Sequence, residues 1–191
     1  MIYFIPIKKN SQRVPNKNFR NLFGEPLYKH TLLKFNNEVV YVDTDSEEIY
    51  NEIKNDYRLK NINVFYREEK LIGDEVSVCD LIYSFICKYK INDFICQIHV
   101  TSPFLDKKTI VDAYSFLGNQ NDSVVSCNKI NSRLWRSEKY GFCPVNHNPL
   151  RLEQTQDIPT IFEENSCFYI FHSFEIYVNL QRMSCLFLVC S

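Results

Sequence analysis

"IPIKKNSQRVPNKNFRNLFGEPL", residues 5 to 27, joins an apolar run to a segment of helical spacing, and it carries Lys8, Lys9, Arg13, Lys17 and Arg20 with no acidic residue before Glu25. The run it continues, Ile2 to Pro6, is short, branched and aromatic, as a buried strand is. Pro26 to Phe35 follows with apolar residues at helical spacing, and Pro26 suits a first helical turn, where its missing N–H costs nothing. The first unit is therefore a strand, a cationic connection and a helix.

The same unit recurs. Strand-like runs lie at Val39 to Val42, Ile62 to Tyr66, Asp93 to Val100 and Ser123 to Ser126, and helical spacing at Ser46 to Tyr57, Val76 to Tyr89 and Lys107 to Leu117. Asp45 or Ser46 can cap the helix that opens with Glu47 and Glu48, and Asp106 the last one. This β-α-β-α-β alternation of short apolar strands implies an α/β fold with a mostly parallel sheet covered on both faces. Ligands of such sheets bind beyond the carboxyl ends of the strands, where the cationic stretch sits. From Arg133 to Pro159 the alternation fails in a polar, turn-rich segment, and a surface excursion, a substrate lid and a dimer arm all remain open readings. "SCFYIF", Ser166 to Phe171, resumes the pattern as a strand.

A length of 191 residues suits one domain with a substantial core. Lys and Arg (22) nearly balance Asp and Glu (23), so overall charge does not point to nucleic acid and the local excess is the informative quantity. Cys79, Cys87, Cys96, Cys127, Cys143, Cys167, Cys185 and Cys190 are scattered, mostly in apolar stretches, without a CxxC pair. They read as buried reduced thiols of a cytoplasmic protein. Met1 to Ile7 is too short for a signal-peptide core, and no apolar run approaches the roughly 20 residues of a membrane span. The expectation is a soluble cytoplasmic chain with neither a membrane nor a nucleic-acid partner. Trp135 reads as a packing residue, and His30, His147 and His172 as surface residues without ligand or triad spacing.

The cationic connection has the parts to grip a polyphosphate: Lys for point charge, Asn10, Ser11 and Asn18 for hydrogen bonds, and Pro15 to limit the entropy lost on ordering. GxxxxGK[ST] and GxGxxG are both absent. Charge alone also allows a solvated basic loop.

The order of residues in "IPIKKNSQRVPNKNFRNLFGEPLYKHTL" resembles the N-terminal signature of the acylneuraminate cytidylyltransferases (CMP-sialic acid synthetases). Further landmarks follow in that family's order: "VVYVDTDSEEI" (39 to 49), "FYREEKLIGDEVS" (65 to 77), "HVTSPFLDKKTI" (99 to 110), "DSVVSCNKI" (122 to 130) and "TQDIPTIFEENSCFYIF" (155 to 171). The resemblance implies a three-layer Rossmann-like fold of the nucleotide-diphospho-sugar transferase type, spanning residues 1 to 172 with 132 to 165 as an insertion. It implies a dimeric, Mg²⁺-dependent enzyme that joins CTP to an acidic nine-carbon sugar, giving a CMP-sugar and pyrophosphate. On the matching positions, Lys17 and Lys8 are the candidate catalytic cations, and Asn10, Ser11, Asn18, Arg67 and Ser77 the candidate nucleotide contacts. His99, Gln97 and Thr101 are the candidate sugar contacts, with Gln97 competing with His99 under a shifted register.

This chain departs from the family's pattern at several points. Lys8 and Gln12 stand in place of the Arg and Lys of RxxSK, "HVTSP" replaces "QPTSP", and Thr155 precedes "QDIP" where an arginine is usual. These changes leave the identity of the sugar open. After "YIF" the family's D-x-D metal segment is missing, because residues 173 to 191 read "SFEIYVNLQRMSCLFLVCS" with Glu175 their one acid, so the metal ligands are unknown and the tail is expected to be truncated or frameshifted. Two rivals follow: a non-catalytic CTP-binding remnant, and a GT-A type glycosyltransferase using Asp43 and Asp45 as its metal motif. Against the latter, Asp43-Thr44-Asp45 aligns with the family's "VSTD" turn, where the second aspartate is expected to cap the next helix.

Overall fold

The structure, a computed structural model, describes residues 1–11, 13–117 and 123–174, together with the backbone of 186–189. Gln12, Glu175, Cys185 and Cys190 lie outside the described residues. The chain opens with strand β1 (Ile2–Ile7), short strands β2 (Asn21–Leu22) and β3 (Glu25–Pro26), and helix α1 (Leu27–Phe35). Then come β4 (Val40–Thr44), α2 (Glu47–Asn55), β5 (Asn63–Tyr66), α3 (Val78–Tyr89), β6 (Phe94–Ile98) and α4 (Lys107–Tyr114). The later part is strand-rich: β7 (Ser123–Ile130), β8 (Trp135–Glu138), β9 (Gly141–Pro144), β10 (Ile161–His172) and β11 (Leu186–Val189).

The main sheet has the order β11-β7-β10-β6-β1-β4-β5. Only β10 runs against its neighbours; β1 is parallel to both β4 and β6, β4 to β5, and β11 to β7. The expected mostly parallel α/β sheet is present. Alternation along β1 explains its three layers. Tyr3, Ile5 and Ile7 pack with Leu32 and Phe35 of α1, Ile49 and Ile53 of α2, and Ile110 and Ala113 of α4. Phe4 points the other way, into Leu81, Ile82, Phe85 and Ile86 of α3. A strand covered on both faces has to be apolar at every position, which is why Ile2 to Ile7 reads as a continuous run.

Several local expectations are corrected. Pro26 is the N-cap of α1 rather than part of its first turn, because its ψ of 145° is extended and it pairs with Asn21 in a small hairpin. Phe23 and Gly24 make that turn with φ of 50° and 91°, the left-handed geometry of a tight hairpin. Ser46, not Asp45, caps α2 by accepting the Ile49 N–H at 3.3 Å. The excursion after Ile130 holds a hairpin, β8–β9, absent from the sequence reading because β8 is exposed throughout and β9 is only partly covered, at Cys143 and Pro144, so that neither carries a buried apolar stripe. Buried Asn146 ties its base, accepting from Leu134 N and donating to the carbonyls of Ser132 and Pro159.

Other side chains also sit differently from their expectation. Trp135 is half-exposed, edge-on to a partly buried His147. His30 and His172 are likewise partly buried, His30 against the Leu22 carbonyl and His172 against the Phe94 ring. Of the described cysteines, Cys96 and Cys127 are buried, whereas Cys87 is exposed on the outer face of α3. Beyond the first part of the tail, β11 pairs along β7 from Leu186↔Val124 to Val189↔Cys127.

Strand β10 carries a bulge between Glu164 and Tyr169, with Ser166 at a φ of 56°. Buried Ser126 holds it: its Oγ accepts from Cys167 N and Phe168 N, both at 3.0 Å, and donates to Phe168 O at 3.2 Å. Ser126→Ala strands the buried Phe168 N–H, while Cys167 N keeps Asn165 Oδ1 at 3.2 Å, so urea unfolding should show a loss of about 1 to 2 kcal/mol. An unchanged midpoint would show that the bulge is held by its neighbours instead.

Candidate active site

In the order β6-β1-β4-β5, the chain progresses from β1 to one side and then returns to its other side with β6. Two successive connections therefore leave the carboxyl edge in opposite directions at β1 and β6, and a crevice opens between them. A cavity of about 470 Å³ lies there. The connection after β1 supplies Lys8, Asn10, Ser11, Arg13, Lys17 and Asn18; the residue after β5 is Arg67; His99 and Thr101 follow β6. Val76, Val78 and Leu81, at the start of α3, give it an apolar wall. Eight of the ten side chains singled out from sequence thus line one cavity.

The polar groups are held by backbone geometry. Asn16, at a φ of 52°, turns the chain into a single 3₁₀ turn, Lys17–Phe19. This buries Asn18, whose Nδ2 donates to Lys8 O at 2.7 Å, while its Oδ1 is buried without a partner. Lys8 Nζ donates to Gly73 O at 2.8 Å and lies 3.3 Å from Asp74 Oδ1. Among the described residues, Arg13 and Lys17 form no ion pair, and Asp74 is the only carboxylate in the lining. A cavity with four cations and one acid is suited to a polyanion.

Arg67 is buried and paired to Asp43, Nε to Oδ1 at 2.5 Å, with its Nη1 left unpartnered. Burial raises the Asp43 carboxyl above the usual carboxylate range, and the Arg67 charge opposes that rise. Asp45 accepts the Lys9 N–H at 2.5 Å and stands 3.8 Å from Arg67. Both aspartates of the D-x-D are thus engaged with donors from the cavity's own rim. Among the described residues, no three His, Cys, Asp or Glu side chains converge as a metal site.

Ser77 and Gln97 are outside the lining. The Ser77 hydroxyl accepts from Asp80 N at 3.2 Å and bonds to Asp80 Oδ2 at 2.7 Å, closing a capping box on α3. Gln97 is buried one strand position pair below His99, with Nε2 unpartnered. The His99 ring lies edge-on to Tyr169 at 6.2 Å, and His99 N donates to Cys167 O at 3.2 Å, so the β10 bulge borders this end of the site. Sequence reasoning missed Arg13 and Asp74 as lining residues and Asp43 as the partner of Arg67. Alternation could have found the last, since Asp43 and Arg67 point to the same sheet face as Tyr41 and Phe65. Ser77→Ala should lower stability by about 1 kcal/mol and leave nucleotide affinity unchanged in calorimetry; a loss of affinity would assign Ser77 to the ligand.

The fold and site are those of an α/β sheet with a cation-lined crevice at its switch point. The family model described as "Cytidylyltransferase" matches residues 2–189, and the chain belongs to that family. It is 32% identical over 170 residues to N-acylneuraminate cytidylyltransferase A of Danio rerio, covering 83% of this chain and 38% of that protein. To the pseudaminic acid cytidylyltransferase of Campylobacter jejuni it is 29% identical over 126 residues, covering 61% and 53% respectively. The chain spans between about a third and a half of the length of these curated relatives. Among solved structures, a CMP:2-keto-3-deoxy-manno-octonic acid synthetase complexed with CTP superposes with a TM-score of 0.68 over 99% of this chain and 90% of that one, at 12% identity. That likeness speaks to the fold alone.

Proposed function

We propose that the chain transfers CMP from CTP to the anomeric hydroxyl of a sialic-acid-like nonulosonic acid, releasing pyrophosphate. The observation that carries the reading is the convergence of Lys8, Arg13, Lys17 and Arg67 on one cavity at the β1/β6 crevice. The named activities of the similar proteins, acting on N-acylneuraminate and pseudaminic acid, support the substrate class. In this reading Lys17 and Lys8 hold the triphosphate and spread the charge that develops as the sugar hydroxyl attacks the α-phosphorus in line. Asn10, Ser11 and Asn18 orient the phosphates, and the buried Asn18 Oδ1 accepts from a ligand donor. His99 and Thr101 face the acceptor sugar at the β6 end. Mg²⁺ accompanies the CTP phosphates in this reading and adds its charge to that of the cavity's cations.

Incubation with CTP, Mg²⁺ and a panel of nonulosonic acids should release pyrophosphate. Lys17→Ala should abolish CTP binding in calorimetry while leaving the melting temperature unchanged. Thermal stabilisation by CTP without turnover of any acceptor would favour the CTP-binding remnant. Stabilisation by a UDP- or GDP-sugar but not by CTP would favour the glycosyltransferase.

A homodimer built on the 132–165 segment belongs to the same proposal. Phe142, Leu150 and Leu152 are 72%, 95% and 89% exposed there, an apolar surface that a second copy would cover. Sedimentation should show a dimer that Phe142→Asp with Leu150→Asp converts to monomer; a monomeric unchanged protein overturns the dimer.

A further inference from the structure

We infer that Asp43 is a positioning residue of the nucleotide site: its buried carboxylate grips one edge of the Arg67 guanidinium so that the free edge faces a ligand oxygen in the cavity. The inference rests on the CTP reading above and adds a residue to it. Asp43 is the penultimate residue of β4 and Arg67 follows β5, with the Arg67 N–H donating to Thr44 O at 2.9 Å. That bond sets the two side chains side by side on the α3 face. There the carboxylate takes Arg67 Nε at 2.5 Å, and the Asp43 carbonyl lies 3.5 Å from Nη2. The two side chains are only 1% and 3% exposed.

A guanidinium presents its five N–H groups in one rigid plane, so occupying the Nε edge fixes the direction of the others. Nη1 is the group left over: it is buried, has no hydrogen-bond partner, and Asp45 Oδ2 stands 3.8 Å away. Arg67 nonetheless lines the cavity, and Pro6, the register partner of Asp43 on β1, lines it too. A buried donor stays unpaired at a cost unless something enters to accept from it, and the cavity that Arg67 lines is where an acceptor can enter. A buried acid is also a poor packing residue, because burial itself raises its carboxyl pKa. Directing Arg67 gives Asp43 a role that packing does not. The acceptor is an oxygen of the nucleotide, either on a phosphate or on the nucleoside.

The test is CTP binding by calorimetry, with inorganic triphosphate as a second probe, for the unchanged protein, Asp43→Asn, Arg67→Gln and the double variant. Asp43→Asn should fold with a lowered melting temperature, because it leaves the Arg67 charge buried without its partner, and bind CTP about tenfold more weakly or worse at a temperature where it is folded. In the Arg67→Gln background the same substitution should cost nothing further, since Asp43 acts through Arg67. A loss shared by triphosphate assigns the acceptor to a phosphate; a loss confined to CTP assigns it to the nucleoside. If Asp43→Asn does not fold, Asp43→Glu keeps the charge while displacing the guanidinium, and its CTP affinity should fall likewise. Wild-type affinity in the folded Asp43 variant, or an equal loss with and without Arg67, overturns the inference alone. No CTP binding by the unchanged protein overturns the nucleotide reading and this inference with it.

Discussion

Strand β1 is hydrogen-bonded to parallel neighbours on both edges and packed against helices on both faces. With no exposed side left, its backbone and side chains are spoken for, and the chain has to leave it at the carboxyl end. The connection that follows is therefore delivered to the centre of the sheet's carboxyl edge, beside the residues that leave β6. Cations placed at that point face a crevice instead of open solvent. The position of Lys8, Lys17 and Asn18 is thus a consequence of how an apolar hexapeptide is buried.

The order of the remaining contacts follows from side-chain parity. On the α3 face, Phe4, Pro6 and Lys8 succeed one another along β1, as Ile95, Gln97 and His99 do along β6. Each series starts in the apolar core and ends at the cavity. Gln97 belongs to the middle of its series, which is why it is buried under the site while His99 lines it. Asp43 and Arg67 end the β4 and β5 series on the same face and meet as an ion pair. Such a pair gains little net stability once both charges have been desolvated, so its retention is better explained by direction than by energy.

How much of this was legible in the sequence depends on how local the cause is. The layered parallel sheet could be read because buried strands and amphipathic helices each leave a periodic trace, and the cationic loop because its charge has no compensation until Glu25. Choices between adjacent residues were not legible: Ser46 and Asp45 are both competent caps, and only the Lys9 N–H, which takes Asp45, decides between them. The β8–β9 hairpin left no trace because its strands are largely exposed and carry no buried apolar stripe. The gathering of Lys8, Ser11, Lys17, Arg67, His99 and Thr101 depends on strand order, and a sequence of alternating elements does not state whether β6 lands beside β1 or beyond β5.

The reversed direction of β10 completes the site in a way the parallel strands could not. A parallel strand brings to the carboxyl edge only the residues at its end; an antiparallel one brings its beginning, and with it whatever irregularity that beginning contains. The bulge at Ser166 to Phe168 arrives at that edge, where Cys167 O takes the His99 N–H and its Sγ accepts from Ser102 Oγ at 3.2 Å. Ser126 fixes the bulge from the far side, so the turn after β6 is held by a hydroxyl two strands away. The cationic end of the cavity is set by β1 and its loop, while the end bordered by His99 and Tyr169 is set by the registry of β7, β10 and β6. Two ends with separate supports can diverge separately, which fits a family whose similar members share a cytidylyl donor in their names and differ in the sugar acid.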